Sequence, residues 1–137
     1  MIINKALFDS LFAKALLNER KRINYDLRTN SDDNGQRMLN AMLPGTIVPI
    51  HRHPNSNENV ILLTGEIDEV FYNENGIEIK RIHLNTQNGI YGCVVPCGEW
   101  HTVEVMEPSI IYEAKDGKFG KDGSETLDEY NTQNKCK

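Results

Sequence analysis

The chain has 137 residues, 39% of them apolar and 26% charged, the make-up of an ordinary globular domain that can bury a core without disulfide or metal staples. Its formal charge of −5 argues against a nucleic-acid partner, since phosphate binding requires a concentrated basic face. Cys93, Cys97 and Cys136 are odd in number and lack a disulfide-framework spacing, which points to a reducing, cytoplasmic compartment.

The N-terminal apolar run is interrupted by Asp9 and Lys14 and has no small-residue cleavage site after it, so it does not read as a secretion signal. No other stretch approaches the length of a membrane span. Leu7, Phe8, Leu11, Phe12, Ala15 and Leu16 recur at helical spacing behind Asn4, predicting an amphipathic helix over residues 5–19 with Asn4 as its N-cap. Its apolar stripe must cover either the chain's own sheet or a partner subunit. Arg20-Lys21-Arg22 reads as positive charge at the helix C-terminus, favourable against the macrodipole, rather than as a binding patch. Asn30-Ser-Asp-Asp-Asn-Gly35 is a loop.

From Gln36 to Ala114 the helical period disappears and short apolar or β-branched runs alternate with turn clusters. Strands are predicted near 36–43, 46–53, 58–64, 66–73, 77–84, 90–95, 101–106 and 109–114. Asn73-Glu-Asn-Gly76 and Leu43-Pro-Gly45-Thr supply tight turns. The pattern predicts a mainly β chain, a sandwich or jelly-roll barrel, with an N-terminal α-helix. Residues 1–35 form the helix and connecting loop packed on the barrel, 36–119 the barrel, and 120–137 a polar, loosely ordered tail, all within one domain. The edges of such a sheet are commonly protected by a partner strand or a covering element, which together with the helix stripe suggests a homodimer.

Three of the four histidines fall in two short segments, Gly45-Thr-Ile-Val-Pro-Ile-His51-Arg-His53-Pro-Asn-Ser-Asn-Glu58 and Pro96-Cys-Gly98-Glu-Trp-His101. Alternation along a strand puts His51 and His53 on one face, roughly 7 Å apart. A turn then returns Glu58 alongside them, and His101 opens another strand. If that strand neighbours the first pair, three nitrogens and one oxygen converge on one cation. Such a set suits one divalent transition metal ion, Fe, Mn, Ni, Co or Zn, with positions left open for a ligand. His83, alone in Arg81-Ile-His83-Leu, reads as a satisfied strand histidine.

Residues 45–65 fill every fixed position of Gly-x5-His-x-His-x4-Glu-x6-Gly, and residues 96–101 match Pro-x-Gly-x2-His. These resemble the two signatures of the cupin superfamily, implying a cupin-type jelly-roll β-barrel with His51, His53, Glu58 and His101 as metal ligands. Gly89 stands one residue too far from Pro96, and Val105 replaces a frequent asparagine; both positions shape turns rather than bind metal. The order of the N-terminal helix, Arg20-Lys-Arg22, Gln36-Arg37-Met-Leu39-Asn40-Ala, Pro49-x-His51-Arg52-His53, Gly98-x-Trp100-His101 and Glu113-x-Lys115-x-Gly117 further resembles the WbuC-type cupin metalloproteins over residues 5–119. That resemblance implies a bacterial surface-polysaccharide (O-antigen) setting. After Phe119 the chain departs from it, lacking the proline that follows glycine there.

Around the metal, Arg37, Asn40, Trp100, Tyr112 and Glu113 are the substrate-pocket candidates. Arg37 and Asn40 differ in strand parity, so both cannot face one cavity without a bulge. Facing inward, Arg37 would clamp a substrate carboxylate or phosphate; the alternative is an ordinary surface arginine. Glu113 is either a general base or a salt-bridge partner of Lys115. Trp100 either walls the pocket or packs under the turn, and Cys93 and Cys97 read as small, partly buried residues. The expected function is metal-dependent catalysis on a small sugar or nucleotide-sugar derivative, with isomerase or epimerase, hydrolase-like and dioxygenase chemistry all open and no acid or base identified. The alternatives are a non-catalytic, metal-dependent binding or sensing module and a purely structural ion.

Overall fold

The computed structural model describes residues 1–135. In chain order they form α1 (Lys5–Leu17), β1 (Arg22–Asp26), β2 (Gly35–Met42), β3 (His51–Arg52), β4 (Glu58–Tyr72), β5 (Glu78–Asn85), a 3-10 turn (Thr86–Asn88), β6 (Gly92–Val95), β7 (Trp100–Asp116), β8 (Glu125–Thr126) and α2 (Leu127–Lys135). The pairings are antiparallel throughout. β2, β3 and β4 all pair with β7, β4 also pairs with β5 and β6, and β1 and β8 extend the ladder at its ends.

Asn4 caps α1 as expected, its side-chain oxygen accepting from the Leu7 N–H at 3.0 Å. The helix stops at Leu17, two residues short of the predicted end, and Lys21 takes a left-handed φ of 57°. Arg20-Lys21-Arg22 is therefore not a helix terminus. Arg22 opens β1, a strand absent from the sequence reading, and its guanidinium donates to the Ile47 carbonyl at 2.7 Å. Helix and strand share one purpose. Leu11 and Ala15 bury against Leu39, Ala41 and Ile110, flanked by Phe8, Phe12, Ile23 and Tyr25. The stripe of α1 thus covers the chain's own sheet through Leu11 and Ala15, while Leu16 stays exposed.

Two predicted strand pairs are in fact single long strands. Residues 58–64 and 66–73 join in the 15-residue β4, and 101–106 and 109–114 join in the 17-residue β7. The glycine read as a break, Gly65, is a bend. It sits at φ 98°, and a Cβ there would lie 2.2 Å from Ser109 Oγ and 2.5 Å from the Pro108 carbonyl oxygen. Register shifts on both sides of Gly65 let the sheet curl while the pairing continues. By contrast, the predicted strand 46–53 shrinks to His51–Arg52. Pro49 has no N–H to give to a ladder, and nearby carbonyls bond side chains instead, Val48 accepting from Thr102 Oγ1 and Ile47 from Arg22.

The curled sheet encloses Met42, Val60, Leu62, Ile67, Phe71, Leu84, Val95, Val103 and Ile111. Fully burying one such side chain contributes about 1.5–3 kcal/mol, so this cluster outweighs any single polar interaction in the fold.

The loosely ordered tail expected over 120–137 is instead tied down. Glu125 and Thr126 pair with Arg52 and His51, and the Leu127 N–H bonds the Ile50 carbonyl at 2.8 Å. Leu127 is buried, and the Arg52 guanidinium packs against the rings of Trp100 (4.3 Å) and Tyr130 (4.7 Å) while bonding Glu125 at 2.6 Å. A few well-placed anchors overcome the polar composition. Cys136, at the end of the predicted tail, lies outside the described residues.

Candidate metal centre

β3 and the first residue pair of β7 build the centre, because His51 lies opposite His101 in the ladder. His53 follows at the same strand parity, and Glu58 is the first residue of β4, after the Pro54–Asn57 turn. The imidazole centroids are 5.0 Å (His51–His53), 4.3 Å (His51–His101) and 5.3 Å (His53–His101) apart. One ligand atom from each histidine lies within 4.8 Å of the others, a group that could hold a metal ion. Glu58 closes the set: its carboxylate is 3.0 Å from His53 Nε2 and 3.7 Å from His101 Nε2.

Each imidazole is oriented through its other nitrogen. His51 Nδ1 is 2.8 Å from the Pro49 carbonyl oxygen, His101 Nδ1 is 2.9 Å from that of Glu99, and His53 Nδ1 is 2.7 Å from Ser124 Oγ. A carbonyl can only accept, so Nδ1 carries the proton in His51 and His101 and Nε2 is left as a bare lone pair. The Nε2 atoms of His53 and His101 are buried and make no hydrogen bond, although the carboxylate of Glu58 faces them. The bare Nε2 lone pair of His101 turned on the Glu58 carboxylate is repelled by it unless a cation lies between them, so this donor set fits a divalent ion. Protonation points the same way. Burial, and next the neighbouring His101, push His51 down to about 4. Burial opposes the ionisation of Glu58, but His101 and His53 hold it well below the usual carboxylate range. A neutral imidazole beside an ionised carboxylate is what a metal needs.

The cavity against these ligands measures 110 Å³ and is completed by Asn40, Val48, Glu69, Val103, Glu113 and Lys115. Of the five pocket candidates, Asn40 and Glu113 line it, the Asn40 amide donating to Glu113 at 3.4 Å. Burial and then Glu58 push Glu113 up to about 7. Arg37 and Tyr112 line a separate 420 Å³ cleft with Asn57, Asn59 and Asp116, and Arg37 pairs with Asp33 at 2.9 Å. Parity keeps Arg37 with Leu39 and Ala41, away from Asn40 and Met42. Trp100 packs against Arg52 and Tyr130. Lys115 lies 3.5 Å from Glu58, so Glu58, rather than Glu113, is its partner.

Three participants were missed. Glu69 is buried with one carboxylate oxygen unpartnered, and burial, then Glu58 and Glu113, raise it well above the carboxylate range. Its signal was available, since Glu69 shares parity with the core residues Ile67 and Phe71. Lys115 shares the parity of Glu113. Ser124 had no local signal. A second cavity of 280 Å³, lined by Gln36, Lys115, Phe119, Gly120, Asp122 and Ser124, adjoins the first at His53.

Elsewhere His83 is satisfied as expected, between Glu66 (2.7 Å) and Asp68. Cys93 is half-buried, which pushes its thiol up to about 12, and the exposed Cys97 bonds the Pro54 carbonyl. Among the described residues, no helix is long and apolar enough to cross a membrane.

Known structures share this architecture. An uncharacterised conserved protein with a double-stranded beta-helix domain from Klebsiella pneumoniae matches at 16% identity and TM-score 0.63, over 91% of this chain and 95% of that one. The cupin domain of Schizosaccharomyces pombe Cnp3 matches at 13% identity and TM-score 0.57, over 73% and 67%. Lactobacillus farciminis oxalate decarboxylase in its formate complex matches at 16% identity and TM-score 0.60, over 82% of this chain. The chain spans about a third of the decarboxylase, 32% of its length. The fold is therefore cupin-like: mainly β, a curled antiparallel sheet with an N-terminal helix. No curated protein matches in sequence. Residues 3–84 match the family model described as Domain of unknown function (DUF6016).

Proposed function

The chain belongs to the DUF6016 family, and from that premise we propose that it is a metal-dependent cupin enzyme acting on a small oxygenated molecule. The observation that carries this reading is the meeting of His51, His53 and His101 within 4.8 Å. With Glu58, they would hold one divalent ion of Fe, Mn, Ni, Co or Zn. When bound, such an ion supplies Lewis acidity to a ligand oxygen.

The chain's own residues supply the rest. Glu113, raised to about 7 by burial and Glu58, can give or take a proton near neutrality. Asn40 holds it through one carboxylate oxygen. Lys115 brings a positive charge to the seam between the two cavities. The inner 110 Å³ accommodates only a small group, and the adjoining 280 Å³ provides room for the remainder of a larger ligand. A sugar-derived substrate fits that division, and the WbuC-type resemblance supports a place in surface-polysaccharide (O-antigen) biosynthesis. We also propose a homodimer. Ile61, Leu63 and Val94, exposed on the paired strands β4 and β6, support it; a monomeric mass in solution would end it.

Anaerobic purification with elemental analysis tests the metal. Product formation from sugars and nucleotide sugars, set beside calorimetry of the same compounds, tests the activity. Metal-dependent binding without product from any of them would convert the reading to a binding or sensing module.

A further inference from the structure

The imidazoles of the centre differ in where their orientation comes from. His51 and His101 each bond a carbonyl two residues earlier in the chain, just before the strand that carries them. His53 instead meets Ser124, a residue 71 positions along the chain. We propose that Ser124 is a positioning residue for the metal centre, and that the segment 117–126 works as a strap holding it against His53. The proposal rests on the metal reading but concerns a different part of the chain.

A hydroxyl can both donate and accept. The proton on His53 is therefore not dictated as it is on its neighbours. When Ser124 accepts from Nδ1–H, the Nε2 lone pair faces Glu58 and the other imidazoles. Without Ser124 the ring is free to carry its proton on Nε2, where it bonds Glu58 and blocks the position a metal ion requires.

The strap is built to hold that hydroxyl in place. The Ser124 N–H bonds Asp122 Oδ1 at 3.0 Å, while Gln36 Nε2 donates to Asp122 Oδ2 at 2.8 Å and to the Gly117 carbonyl at 3.1 Å. Asn55 donates to the Asp122 carbonyl at 2.9 Å, tying the strap to the turn that follows His53. Gly123 seats it there. At φ 80°, a Cβ would come within 2.8 Å of Asn55 Nδ2 and 3.2 Å of Pro54 Cγ. Downstream, the Arg52–Glu125 bond and the pairing of Thr126 with His51 fix the far end.

The test uses the full chain and Co(II) as probe. In the metal-free protein, long-range proton–nitrogen spectra of the imidazoles should show His53 protonated at Nδ1. Ser124→Ala should shift His53 toward a mixture of forms while His51 and His101 stay unchanged. Ser124 is exposed on its outer side, so water partly replaces it. The loss of Co(II) affinity is therefore expected near the lower end of the range for such partners, about tenfold. Ser124→Thr should restore both readouts. Gly123→Ala, which lifts the strap without touching the hydroxyl, should reproduce the alanine effect. Unchanged His53 nitrogen shifts in Ser124→Ala overturn the proposal, whatever happens to affinity. If the unaltered protein takes up no Co(II), the metal reading fails, and the nitrogen spectra alone still decide the role of Ser124.

Discussion

Glu113 is enclosed beside the imidazoles, yet its hydrogen-bond donor is an amide, Asn40, rather than a cation. Burial and Glu58 raise it to about 7 from 4.5. The folded protein therefore holds this proton more tightly than the unfolded chain does. The stability that follows is fully present below the unfolded value and is lost as pH rises through the folded one. In metal-free protein, the stability difference between the native chain and Glu113→Gln should decline between pH 4.5 and 7 by a few kcal/mol, measured by urea unfolding. A flat difference would mean that Glu113 ionises freely. The same scale explains which site residues were legible. His51, His53, Glu58 and His101 announce themselves because ligand type and spacing coincide. Arg37 and Tyr112 carried equally suitable chemistry, but alternation says only which residues share a face, never which face is inside.

β4 bends around Gly65, whose missing Cβ makes room for Pro108 and Ser109 of β7. Gly65→Ala meets both a left-handed backbone and backbone atoms that cannot yield, so a loss of about 3 kcal/mol or more is expected in thermal or urea unfolding. A variant as stable as the native chain would show that the bend tolerates a side chain. At the other end, α2 depends on Arg52 packed against Trp100 and Tyr130. Arg52→Ala should speed amide exchange throughout 125–135 and leave the β2, β4 and β7 amides protected. Uniform loss of protection would make the C-terminal segment part of the cooperative core. Both elements were misread for one reason. A glycine that bends a strand and a glycine that ends it have the same local sequence, and a polar segment reveals its anchors only where the rest of the fold has placed their partners.

For the molecule as a whole, the apolar interior of Met42, Val60, Leu62, Ile67, Phe71 and Ile111 is held by side-chain burial that needs no ion, although Phe71 lies beside His101. The sheet should therefore persist without an ion. His53→Ala should lower metal content sharply while far-UV circular dichroism keeps its β signature. Chelation of the native protein should lower the melting temperature without unfolding it at 25 °C, because a ligand at a hundred times its Kd contributes about 2.7 kcal/mol. Outright unfolding in either experiment would identify a structural ion instead.

Local patterning by itself determined the β class, the N-terminal helix and the three histidines that cluster beside Glu58, since period, capping and residue spacing are properties of a few neighbouring residues. Only the tertiary structure decided that β1 exists, that Trp100 packs on the C-terminal helix, and that Ser124 stands beside the histidine cluster. Those facts depend on which strand lies beside which, and the curl of the sheet brings Ser124 to His53 across 71 positions of chain that carry no mark of their meeting.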